Sequence, residues 1–181
     1  MEAIGETGGQ RVRIIGWGLA AALILTPLAA MQVTPEVVWG PEDFVFAIVV
    51  IGGTGLLFEV AVRLSGNLAY RVGAGLALLA SFLMVWVNAA VGIVGESDNP
   101  ANLIFAGVLL LELAGTLLAR FRAQGMAYAI GVTAGAQLLA AGYAAVNGWG
   151  KEALFLMVWV ALWSLSAGLF QVAARQEAGQ E

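Results

Sequence analysis

Histidine and cysteine are both absent from this chain, and charge is scarce. Without a thiol there is no disulfide framework, no thiolate nucleophile and no cysteine metal ligand. Without an imidazole there is no ligand of the kind that commonly holds haem or zinc, and the commonest general base is missing too. The one lysine, Lys151, falls in a loop between apolar segments, which argues against a pigment held as a Schiff base between helices. These absences remove most enzyme chemistries. They leave carboxylates, amides, hydroxyls and arginines as the polar inventory, and no cofactor or metal is expected.

What is present is apolar. Hydrophobic residues make up 61% of the 181 residues and charged residues 11%, against about 45–50% and about 25% in soluble domains. One soluble core of this size cannot hide so much apolar surface, so lipid is the expected solvent. A bilayer core needs roughly 20 apolar residues as a helix. Six segments qualify: Ile14–Met31, Phe44–Val62, Leu68–Val94, Leu103–Ala119, Met126–Val146 and Ala153–Ala174. The fold expected is an all-α integral membrane protein, a single six-helix domain with tails at 1–12 and 175–181. The first segment also has features of a cleavable signal peptide. Its apolar run is long for that, and its loss would leave an odd number of spans, so an uncleaved helix bent at Pro27 is expected.

The arginines set the orientation. Arg11, Arg13, Arg63, Arg71, Arg120, Arg122 and Arg175 all fall on one side of a six-span arrangement, with Lys151 alone on the other. The positive-inside rule then places both termini in the cytoplasm. Trp39 and Trp149 fall at the outer boundary, Tyr70 and Tyr128 at the inner one.

An internal repeat is also legible. "PEDFVFA" at 41–47 matches "PANLIFA" at 100–106, and the offset of 59 pairs Arg63 with Arg122 and Gly66 with Gly125. With a slip of one residue, Tyr70 pairs with Tyr128. Spans two and three read as a parallel duplicate of spans four and five; chance likeness between apolar helices is the plainer alternative. Both copies place a proline at a helix start, where its missing N–H costs nothing. Asp98 or Asn99 is placed to cap the helix after Pro100. The outer cluster Glu96, Asp98, Asn99 and Asn102 therefore reads mainly as helix-start chemistry, with a cation site as the sharper alternative.

Small residues at four-residue spacing mark helix faces that approach closely: Ala69, Gly73, Ala77 and Ser81 in the third span, and Ala127, Gly131 and Gly135 in the fifth. Gly52, Gly53 and Gly55 give the second span a thin patch and a candidate kink. In the last span Trp159 and Trp163 share a face, with Phe155 and Phe170 nearby. Lipid-facing bulk is the commonest meaning of such a stripe, with a subunit contact or a carotenoid or quinone shelf as alternatives.

Two carboxylates lie within apolar helices. Glu59 stands four residues before Arg63, and an i,i+4 pair at the interface accounts for it. Glu112 lies near the middle of the fourth span, far from any cation along its own helix. A carboxyl there is either protonated or held in a polar pocket. Folding the fourth and fifth spans about a turn near residues 124 and 125 sets Glu112 level with Gln137, so a neutral Glu112 hydrogen-bonded to Gln137 is expected. That pair serves either to fix helix register or to carry a proton.

The pattern as a whole, including "VNAAVGIVGESDNPANL" at 87–103, resembles small six-span bacterial inner-membrane proteins. The resemblance covers most of the chain and implies an inner-membrane location. It supplies no activity, cofactor or catalytic residue. Three functions compete. A non-catalytic accessory or scaffold subunit fits the short loops, the missing catalytic residue types and the small-residue faces, with other membrane subunits or a second copy as partners. A small proton- or cation-coupled transporter fits Glu112 and Gln137. An enzyme fits worst, and nothing points to nucleic acid. The accessory subunit is the leading expectation.

Overall fold

The computed structural model describes residues 2–179, with side chains from Arg13 onward; Met1, Gln180 and Glu181, parts of the expected tails, lie outside the described residues. The described residues form helices joined by loops, without strands, and six of the helical segments are long and apolar enough to cross a membrane. The reason is general: where water cannot satisfy backbone N–H and C=O groups, a helix satisfies them within the segment. The protein is thus a multi-pass helical membrane protein. Its helices are α1 (Glu2–Ala30), α2 (Pro41–Ala47), α3 (Gly53–Leu64), α4 (Leu68–Ala90), α5 (Leu103–Leu118), α6 (Ala123–Val146) and α7 (Gly150–Ala178). A π turn, Ile48–Gly52, joins α2 to α3 and makes them one span. Of the glycines expected to allow a kink, Gly52 closes this π turn, and Gly53 and Gly55 lie in α3. The chain forms two compact units, one up to Glu59 and one from Val60 onward, and the boundary falls inside α3.

In the first unit, α1 continues as helix through Pro27. Ile14, Leu19 and Leu23 on it are 64%, 62% and 60% exposed, which only an apolar solvent tolerates along a whole helix. Trp17 lies over Gly55, where an added Cβ would come within 3.3 Å of the ring. Glu59 forms an ion pair with Arg13 of α1, which its spacing to Arg63 did not suggest, and Trp17 Nε1 donates to it at 3.4 Å. The local i,i+4 pattern was visible in sequence, whereas the partner 46 residues away was not. At the start of α2, Asp43 accepts a bond from the Gly40 N–H at 2.9 Å, beside Pro41 in the first turn.

The second unit builds its core from α4, α5, α6 and α7. Helix α7 packs against both α4 and α6, and α6 packs against α5. The turns at 65–67 and 119–122 and the end of α7 share one end, the arginine end; the loops at 91–99 and 147–149 lie at the other. Buried positions along α7 (Ala153, Leu156, Trp159, Trp163, Ser166, Phe170 and Ala173) follow the helical repeat without a break. The tryptophans expected to face lipid are therefore core: Trp159 is 2% exposed and Trp163 fully buried. Phe155 alone of that stripe faces outward. An indole in an apolar medium needs a partner for its N–H, and the interior provides one.

The small-residue face of α4 packs as its spacing implies. A Cβ on Gly73 would stand 3.3 Å from the Ser166 carbonyl oxygen, and Ser166 Oγ donates to the Gly73 carbonyl at 2.7 Å. Ala77 is buried and Ala69 partly so. In α6 the corresponding expectation fails. Gly131 and Gly135 are exposed with no heavy atom within 4 Å of an added Cβ, and the packed face runs instead through Met126, Ile130, Thr133, Ala134, Gln137, Ala140, Ala141 and Ala144. Two neighbours, α5 and α7, dictate which face of α6 is buried, and residue size along the helix does not reveal that.

Helix ends also differ from the apolar runs that suggested them. The run through Val94 stops being helical at Ala90 because Gly92 turns with φ +75°. Ile93 and Val94 then fold back, buried. The turn expected near residues 124 and 125 lies at 119–122, where Arg120 and Phe121 adopt left-handed conformations. Gly125 is inside α6, where its missing side chain lets Ala119 approach; a Cβ there would come within 2.8 Å of the Ala119 Cβ. Residues matched by the repeat at the arginine end consequently sit in different places. Arg63 is in the last turn of α3, whereas Arg122 is the N-cap of α6. Tyr70 is 2% exposed and Tyr128 68%.

Candidate functional site

Among the described side chains, Glu112 is the buried carboxyl, 8% exposed at the centre of α5. Its partners come from other helices. Trp163 Nε1 of α7 donates to Glu112 Oε1 at 3.1 Å, and Ser81 Oγ of α4 lies 2.6 Å from Glu112 Oε2. One carboxyl thus joins three helices. Ser81 Oγ is also 2.9 Å from the Ala77 carbonyl oxygen. A hydroxyl has one proton and two lone pairs, so it cannot donate to both. If Oε2 carries the acid proton and donates it to Ser81 Oγ, Ser81 donates onward to Ala77 and every contact is satisfied at once. Above and below, α7 repeats the device: Trp159 Nε1 donates to the Ala80 carbonyl at 3.0 Å, and Ser166 to Gly73.

The expected partner of Glu112 does not engage it. Gln137 is fully buried, but neither Nε2 nor Oε1 has a hydrogen-bond partner among the described residues. The register explains the miss. Gly115 meets Ala129, and Ala119 meets Gly125, across the α5–α6 pair. Carried along the helices, this sets Glu112 opposite Val132, with Gln137 five residues farther, about 7.5 Å along the axis. Misplacing the turn had shifted the pairing by that amount. Ser81 was legible only as the last member of a small-residue stripe. The signal for Trp163 and Ser166 is that they are polar members of one α7 face, and a buried indole N–H needs an acceptor.

The outer cluster resolves into loop structure. Asn99 accepts from the Ala101 N–H at 2.9 Å and caps the 3-10 turn Pro100–Asn102. Asn102, 6% exposed, holds the whole loop: its Oδ1 accepts from the Ile93 and Val94 N–H groups at 3.0 Å each, and its Nδ2 donates to the Glu96 carbonyl at 2.9 Å. Gly92 is required there, since a Cβ would fall 2.9 Å from Ser97 Cα. Glu96 and Asp98 are exposed, and no cluster of carboxylates able to hold a metal ion occurs among the described residues.

Two recesses lie in the second unit. One, of about 630 Å³, is at the arginine end beside Tyr70, Arg120, Arg122 and Glu177, where Tyr70 Oη donates to the Phe121 carbonyl at 2.8 Å. The other, of about 340 Å³, is an apolar groove between α5 and α6. Neither is lined by Glu112, Ser81 or Trp163.

Fold and site define a multi-pass α-helical membrane protein with a hydrogen-bonded carboxyl tying its helices. Comparison with protein-family models, with curated proteins and with solved structures gives no match to this chain.

Proposed function

We propose that this protein is a non-catalytic accessory or scaffold subunit of a membrane complex. The observation that carries the reading is the use made of Glu112. Both carboxyl oxygens are engaged by side chains of neighbouring helices, which is how a register-fixing group is employed, and the two recesses pass it by. Asn67 and Asn99 cap helix starts, and Asn102 holds the loop before α5. We further infer a bacterial inner-membrane location with both termini cytoplasmic, supported by the arginines gathered on one side. A parallel duplication of spans two and three in four and five is supported by the matched Pro41 and Pro100, each opening its helix. The turns at the arginine end would then have diverged.

The test is isolation in mild detergent together with reconstitution. A scaffold subunit comes out with stoichiometric membrane partners, and the purified chain in liposomes adds no proton flux over protein-free vesicles. A lone chain whose liposomes pass protons, with flux abolished in a folded Glu112→Gln variant, would replace this reading with a proton-coupled transporter.

A further inference from the structure

We propose that Gln137 anchors a buried water beside Glu112, and that this water is the route by which the Glu112 proton exchanges with solvent. The inference goes beyond the scaffold reading and does not depend on it.

The starting point is the amide of Gln137, wholly buried with both polar atoms unpartnered among the described residues. Buried polar groups are almost always hydrogen-bonded, and an exception calls for an explanation. The amide offers two N–H donors and a carbonyl acceptor and carries no charge. Ala134, Ala140 and Ala141 share its buried face, so nothing beside it on α6 would balance a charged ligand. The ligand it fits is small, neutral and both donor and acceptor. Water is that molecule.

A buried water needs about three polar partners, and Gln137, Thr133 and Glu112 are the buried polar side chains along the facing stretches of α5 and α6. Helical side chains lean toward the N-terminus of their own helix. Gln137 on α6 therefore leans toward the arginine end, and Glu112 on the antiparallel α5 leans the opposite way, so each reaches into the interval separating them. Thr133 lies one turn from Gln137 on the same buried face; its hydroxyl donates to the Ala129 carbonyl at 3.0 Å and keeps its lone pairs free to accept. The Glu112–Trp163 bond joins α5 to α7, and α6 packs against both helices. The inward face of α6, with Thr133 and Gln137, therefore borders that bond.

Exchange is balanced. The acid O–H turns from Ser81 Oγ to the water and gives up its proton while the carboxyl receives another from the same water, so the O–H bond broken is replaced and no charge remains in the membrane. Trp163 holds the carboxyl in place during the exchange, and the new O–H returns to Ser81 Oγ.

The experiment is infrared spectroscopy of the protein in lipid on transfer to D2O. The carbonyl stretch of the protonated acid that disappears in Glu112→Gln belongs to Glu112, and its deuterium shift times the exchange. Wild type is expected to exchange. Gln137→Met, which keeps the length and removes the amide, is expected to retain the band but exchange roughly tenfold or more slowly. Gln137→Ser, which supplies a hydroxyl in place of the amide and leaves room for water, is expected to exchange close to wild type. Equal rates in wild type and Gln137→Met overturn the proposal. Should neither variant fold, wild type decides alone: no protonated-acid band, or a band that stays undeuterated through prolonged incubation, also overturns it.

Discussion

Glu59 and Glu112 are acidic residues away from the starts of their apolar helices, one in each unit; an indole N–H donates to each, and they differ in the second partner. Glu59 meets a cation, Arg13, whose side chain is 59% exposed. Glu112 meets no cation among its hydrogen-bond partners; it is held by a hydroxyl and an indole in the interior. An ion pair with one partner largely exposed is worth little, because that charge is solvated in its absence. A buried carboxyl bridging helices has no such fallback, and removing it leaves an indole N–H without an acceptor. Position in the helix alone would not separate these cases. The partner's chemistry does.

Substitutions can sharpen or break that contrast. The largest effect is expected at the face against which the carboxyl helices close. Gly73→Leu drives a side chain into the Ser166 carbonyl and Leu169 and is expected to cost about 3 kcal/mol or to prevent folding, read as lost unfolding free energy in bicelles. Glu112→Leu follows, at about 2 kcal/mol, because Trp163 Nε1 loses its acceptor. Glu112→Gln, which accepts from Trp163 and donates to Ser81, is expected to stay within about 1 kcal/mol of wild type. Glu59→Gln is expected to cost about 0.5 kcal/mol or less, with that cost shrinking as salt is added. A Glu59→Gln loss as large as that of Glu112→Leu would erase the distinction between the units. Smallest of all, Gly131→Ala points into open space on α6 and is expected to be neutral or slightly stabilising through helix propensity.

Much of the architecture was legible because lipid makes it so. The six spans follow from apolar length, and the helix starts at Pro41 and Pro100 follow from proline's missing N–H. Glu112 was found because a mid-membrane carboxyl is costly wherever it lies. Its partners were not found, and the cause is specific. Gly125 looks like a turn residue, but it serves a close approach to Ala119, while Arg120 and Phe121 make the turn. A shift of a few residues at the turn moved Gln137 into the place opposite Glu112. Similarly, Gly131 and Gly135 share the spacing of Gly73 and Ala77, yet which face of a helix is buried depends on how many neighbours it has. For Trp159 and Trp163 the size of the side chain points to lipid, whereas the N–H of a buried indole, which needs an acceptor, is the stronger constraint.

The central claim is that Glu112 and Trp163 act as one unit that joins α5 to α7. A double-mutant cycle tests it most directly: unfolding free energies in bicelles for wild type, Glu112→Leu, Trp163→Phe and the double variant. The predicted coupling is about 1–2 kcal/mol, with the second substitution costing much less once the first is made. Strict additivity of the two losses would contradict the account.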